Sequence, residues 1–134
     1  MTWRVTVRIH FCYGHRLLDY EGACAHPHGH NGLAEITLES DRLDHRGMVV
    51  DFGDVKREIK AWIDDRMDHR MLVRKDDPLV EWLEEQGEPH WSLDENPTAE
   101  TIARLIHDHA AGQGYPVVEV RLWETPSSYA TYRG

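Results

Sequence analysis

Cysteine is scarce in this chain, with 2 residues in 134, and so small a number excludes a disulfide-stapled scaffold. Cys12 and Cys24 read either as two thiols of a reducing compartment or as a single bridge. Long apolar runs are missing too. No stretch approaches the roughly 18 apolar residues that a membrane span needs. The N-terminal MTWRVTVRIHF alternates polar and apolar residues instead of setting a basic segment before an apolar one, as a secretion signal does. A cytoplasmic protein with no membrane partner is the expectation. Basic charge is short as well: 15 Lys and Arg stand against 24 Asp and Glu, for a net charge of -9. That sign argues against a nucleic-acid partner held through phosphates, and an anionic ligand would need local contacts. What is present is 40% hydrophobic and 29% charged residues, the balance of a soluble folded chain, and residues 1–134 suit a single domain with its own core.

Hydrophobic periodicity predicts the elements. Trp3, Val5, Val7, Ile9 and Phe11 alternate with Arg4, Thr6, Arg8 and His10, the period of a half-buried strand over 3–11. A second strand is expected over about 30–40 with Ala34, Ile36 and Leu38 inward, and a short third at GMVVDF, 47–52, after the hairpin connection DRLDHRG. From Asp51 to about Met67 the spacing of Val55, Ile59 and Ile63 predicts a helix. Residues 74–97, with three prolines and many acids, read mostly as loop with a turn of helix near LVEWLEE. Thr98 as N-cap, the stripe Ile102, Leu105, Ile106 and the stop at Gly112 define a further helix. VVEVRLWE supplies a last strand. The order β-β-β-α-α-β predicts an α+β fold, an antiparallel four-stranded sheet with two helices on one face.

The chain holds 10 histidines, and CAHPHGH at 24–30 concentrates three of them. His28 and His30, one residue apart at the start of a predicted strand, share a face with Ala34, Ile36 and Leu38. Alone, such a pair is more often a solvated loop than a metal site; a third ligand changes the balance. His15 follows the first strand in FCYGHRL, where an adjacent antiparallel strand can bring it beside the pair. Three neutral nitrogens with an open fourth position are the layout of a catalytic zinc. Cys24 is then left over to act as a base or nucleophile. Glu124 shares the inward parity of Val118, Val120 and Leu122, so its charge needs a partner. That partner is either an Arg or Lys in a buried salt bridge, or a ligand whose edge resembles guanidinium and is held bidentately.

HFCYGHRL, CAHPHGH, GMVVDFGDVK, MDHRML, NPTAETIA and LWET stand in the order and at approximately the spacings of the 6-pyruvoyl-tetrahydropterin synthase and 6-carboxytetrahydropterin synthase family. The chain resembles that family over nearly its whole length. The three residues between Cys24 and HGH, with the closing TYRG, look like the bacterial 6-carboxytetrahydropterin branch. The resemblance implies a tunnelling fold (T-fold) and zinc, Zn2+, at His15, His28 and His30. It implies Cys24 as catalytic base, Asp68 and His69 as a proton-transfer dyad, and Glu124 as the pterin anchor. Read without it, Asp68 and His69 are an exposed helix C-cap. It further implies a pterin triphosphate substrate, 7,8-dihydroneopterin triphosphate, converted to 6-carboxy-5,6,7,8-tetrahydropterin on the way to queuosine, by a homo-oligomer (hexamer) with sites shared between subunits. Related 6-pyruvoyl formation is the nearest alternative, and a non-catalytic zinc or pterin-binding module is the alternative of another class. Cys12, Tyr13, His26 and Pro27 depart from the family pattern.

Overall fold

The computed structural model describes residues 2–134. Strand β1, Trp3–His15, and strand β2, His28–Ser40, form a long antiparallel pair, joined by a loop with one 3-10 turn at Ala23–Ala25. Helix α1, Phe52–Arg66, is followed by strand β3, Arg70–Arg74; helix α2, Leu79–Gln86; strand β4, His90–Leu93; helix α3, Ala99–Gly112; and the hairpin of β5, Val117–Thr125, with β6, Ser128–Tyr132. All six strands make one mixed sheet in the order β4-β3-β1-β2-β5-β6. The β3 strand runs parallel to β1, and β4 parallel to β3.

The α+β class stands, but the four-stranded antiparallel sheet does not. GMVVDF is not a strand. Val49 and Val50 pack half-buried against the core instead of joining a ladder, and Asp51 caps α1 by accepting from Gly53 N–H at 2.7 Å. The stretch read as loop contains α2 and β4, and β3 and β6 are additional strands. These strands are four or five residues long, too short to show a period, and β3 and β4 are held by parallel pairing to segments far away in sequence.

Helices α1 and α3 share one core with the sheet, where Val55, Ile59 and Ile63 of α1 and Ile102, Ala103 and Ile106 of α3 lie against Val7, Ile9, Phe11, Ala34, Ile36, Leu38, Val120 and Leu122. Alternation along the strands delivers the other parity to the opposite face. There Arg4 pairs with Glu39 at 2.5 Å and Arg8 with Glu35 at 2.9 Å across β1 and β2, with Thr6 and Thr37 hydroxyls 2.9 Å apart between them.

Two contacts pin loops to the end of β1, where the histidines lie. Asn96 clamps Leu18 from both sides, accepting its N–H at 3.0 Å and donating to its carbonyl at 2.8 Å. Arg16 grips the buried carboxylate of Asp77 with two donors, Nε at 2.7 Å being one. These bonds from Arg16 outweigh burial and hold the Asp77 carboxyl below its ordinary value.

A group depressed in this way stabilises the fold fully above its unfolded value, about 3.9, and the contribution is lost as pH falls through the folded value. Wild-type stability should therefore drop on acidification below about pH 4. Asp77→Ala, which leaves the part-exposed Arg16 without its partner, should cost about 1–3 kcal/mol at neutral pH and flatten that acid branch. Denaturant melts of both proteins across pH check it.

Candidate active site

The antiparallel register sets His15 opposite His28 and Tyr13 opposite His30, and all four side chains belong to the parity that faces the helices. The three ligand atoms offered by His15, His28 and His30 lie within 4.8 Å of one another. Each of two rings has its far nitrogen tied to a carbonyl: His15 Nδ1 to Pro97 O at 2.6 Å and His28 Nδ1 to His26 O at 2.7 Å. A carbonyl only accepts, so each Nδ1 carries the proton and each Nε2 presents a lone pair. These two Nε2 atoms are 2.9 Å apart, and His30 Nε2 is buried with no hydrogen-bond partner. Lone pairs facing one another in a buried place repel unless a cation or proton lies among them. The donor set, its tautomers and the orphaned nitrogen fit a divalent ion such as zinc, with backbone carbonyls as the outer supports that orient metal-ligating imidazoles. Burial is the largest influence on His15 and pushes its pKa down, against the opposing pull of the Pro97 bond and the Glu124 charge, keeping the ring in its ligand form.

Glu124 enters the same place from β5. Its Oε1 is 3.7 Å from His15 Nε2 and 3.4 Å from the Tyr13 hydroxyl, which donates to it. Among the described residues no Arg or Lys forms an ion pair with it, so the buried salt bridge weighed from sequence is absent. Tyr13 is 3% exposed. Its ring sits edge-on to His15 at 5.3 Å, and its phenol is pushed up first by burial and then by the Glu124 charge and hydrogen bond. Gly32 gives that ring its room, since a Cβ there would lie 3.0 Å from Tyr13 Cε1.

Asp68 and His69 form a second group. They follow α1, and His69 adopts a left-handed backbone, φ 58°, uncommon for a residue with a side chain. His69 Nδ1 bonds Asp68 Oδ2 at 2.7 Å while Asp68 Oδ1 accepts from Cys12 N–H at 3.0 Å. Burial raises the Asp68 carboxyl, but these two bonds and the His69 charge prevail and hold it below the ordinary value. The thiol beside this pair in the chain is Cys12, with Sγ 3.7 Å from His69 Nε2 and 3.9 Å from Nδ1. Cys24 lies elsewhere, in the Ala23–Ala25 turn, where its carbonyl accepts from Leu17 N–H at 2.8 Å. A cavity of about 620 Å³ opens beside the pair, lined by Cys12, Gly29, Asn31, His69 and Met71 among others.

The structure thus brings His15, His28 and His30 together with Glu124 beside His15, joins Asp68 to His69, and, among the described residues, makes no hydrogen bond between Cys24 and that pair. Tyr13 and the carbonyls of His26 and Pro97 belong to the site without having been read as part of it. Carbonyls carry no residue-type signal; Tyr13 shares the parity of His15 two positions on, which was a usable sign.

The chain belongs to the 6-pyruvoyl tetrahydropterin synthase family, whose family model matches residues 4–134. A protein of Rickettsia felis named 6-carboxy-5,6,7,8-tetrahydropterin synthase is 34% identical over 133 residues, covering 94% of this chain and 96% of that protein. A protein of Halobacterium salinarum, named a probable enzyme of the same activity, is 38% identical over 85% of this chain and 75% of its own length. The solved structure of an uncharacterised Wolinella succinogenes protein matches with TM-score 0.85 at 28% identity, over 100% of this chain and 99% of that one. The Caenorhabditis elegans 6-pyruvoyl tetrahydropterin synthase shares the fold, with TM-score 0.74 at 23% identity over 100% and 96% of the two chains.

Elemental analysis of the purified protein should find close to one zinc per chain. Removing it with a chelator should lower the melting temperature, because an ion that binds only the folded state stabilises it. His15→Ala, His28→Ala and His30→Ala should each lower the metal content, and unchanged content in all three would reject the triad.

Proposed function

We propose that the protein is a zinc-dependent lyase acting on 7,8-dihydroneopterin triphosphate, forming 6-carboxy-5,6,7,8-tetrahydropterin and releasing acetaldehyde and triphosphate. The observation that carries this reading is the cluster of His15, His28 and His30, two of them with Nδ1 tied back to a carbonyl, in a chain that also holds the Asp68–His69 pair. The names of the curated relatives favour the 6-carboxy product.

Zinc at the three histidines would supply a Lewis acid to the hydroxyls of the substrate side chain. Glu124 accepts from the 2-amino-pyrimidinone edge of the pterin and orients the ring. Cys24 takes a proton from the side chain. His69 exchanges the proton on the opposite side, and Asp68, bonded to Nδ1, fixes its tautomer and supports its charged form. Since the thiol against His69 in the same chain is Cys12, this division of roles suits sites completed between copies in a homo-oligomer such as a hexamer. Trp3, Leu43, Met48 and Phe52, exposed around an apolar groove of about 430 Å³, offer a surface for such a contact.

Given dihydroneopterin triphosphate, the purified protein should release acetaldehyde and yield the 6-carboxy product by mass. A 6-pyruvoyl product would reassign the reaction, and no turnover with zinc bound would favour a binding module.

Cys24→Ala should keep its zinc and its fold while turnover falls roughly 10²- to 10⁴-fold, the usual loss on removing a positioned acid–base group. Cys12→Ala is the control. If it loses that much and Cys24→Ala does not, the thiol that serves His69 is Cys12 of the same chain.

A further inference from the structure

We infer that Glu124 is a fourth ligand of the metal site while no pterin is bound, and that it passes from the metal to the pterin edge when substrate arrives. The inference rests on the zinc reading proposed for His15, His28 and His30 and adds a second state of that site.

Three imidazole nitrogens meet at the end of β1. Beside one of them, 3.7 Å from His15 Nε2, stands Glu124 Oε1, which needs only a turn of its own side chain to join the other two. With its Nδ1 proton committed to Pro97 O, the His15 ring has nothing to donate to that oxygen. At 3.7 Å the pair is in any case too long for a hydrogen bond. The Tyr13 hydroxyl is the only donor that Glu124 Oε1 has among the described residues. A carboxylate held against a nitrogen lone pair, with one long hydrogen bond and no basic side chain, is an unfavourable arrangement unless a cation lies between the two. Ligands of a tetrahedral zinc, bound at about 2.0–2.1 Å, stand about 3.3 Å from one another. The 2.9 Å between His15 and His28 and the 3.7 Å between His15 and Glu124 fall on either side of that value.

Glu124 is also free to leave. Its side chain is 27% exposed against 2% for His15, and it sits one residue from the end of β5, so the same carboxylate can turn outward to a ligand with paired donors. The consequence is a gate. Before substrate binds, the Glu124 carboxylate would help the three histidines hold the ion and offset its charge; the paired donors of the pterin edge would then draw that carboxylate away and leave the fourth position free for the substrate. Tyr13 is a positioning residue for the closed state, holding the carboxylate on the metal side.

Metal titration without any pterin tests this separately from the lyase reading. Glu124→Gln should weaken zinc binding at least about 10-fold, since even outer partners of metal ligands are worth that much. Tyr13→Phe should weaken it less. The cobalt-substituted wild-type protein should change its visible spectrum when neopterin is added, as the ligand set changes, and cobalt-loaded Glu124→Gln should start from a different spectrum. Zinc affinity and cobalt spectrum both equal to wild type in Glu124→Gln would overturn the inference while leaving the three-histidine site intact. Should that variant fail to fold by circular dichroism, a wild-type cobalt spectrum indifferent to saturating neopterin overturns it equally. A wild-type protein that binds no metal at all overturns the zinc reading itself, a distinct result.

Discussion

In the antiparallel pairing of β1 with β2, His15 stands opposite His28 and Tyr13 opposite His30, and the alternation of side chains puts all of them on the face covered by α1 and α3. Everything else at the site depends on that register. A slip of one residue would carry the imidazoles of one strand to the uncovered face and with them the inward row Ala34, Ile36 and Leu38. The burial of that row, each residue at 0% exposure, therefore enforces the placement of the imidazoles. The packing energy of the core and the geometry of the site are the same constraint seen at two ends of one strand pair.

Orientation of the rings comes from a different source. NPT at 96–98 does three jobs in three residues: Asn96 clamps Leu18, the Pro97 carbonyl takes the His15 Nδ1 proton, and Thr98 caps α3 by accepting from Thr101 N–H. The start of a helix is thereby tied to the end of a strand more than 80 residues earlier in the chain. The Arg16–Asp77 pair closes the other flank and leads into α2. Such contacts contribute modestly to global stability one at a time, yet the Pro97 carbonyl, with that of His26, fixes two ring tautomers without any charged side chain.

The Asp68–His69 pair depends on the opposite parity. Cys12, between the inward Phe11 and Tyr13, offers its N–H to Asp68 and its sulfur to the His69 ring. One strand therefore meets the imidazole cluster on one face and the Asp68–His69 pair on the other. The left-handed backbone at His69 is the local cost of turning sharply from α1 into β3, and the His69 N–H bond to Cys12 O, 2.6 Å, helps hold it there.

The sequence by itself determined the long elements and the inward parity, because a run such as 3–11 or 52–66 repeats its period often enough to be recognised and its burial follows from that period. It also marked His15, His28, His30, Asp68, His69 and Glu124 by residue type and motif. It could not show β3, β4 and β6, whose few residues carry no period; β3 finds its partner β1 far away in the chain, and β6 is a short return of the β5 hairpin. GMVVDF, apolar and β-branched, has strand composition but caps a helix, because packing against the core satisfied Val49 and Val50 before any ladder could. Only the tertiary structure decided that Glu124 faces His15 and that Cys12 lies against His69, since both are approaches between segments far apart in sequence, set by the sheet register and by the turn that leads from α1 into β3.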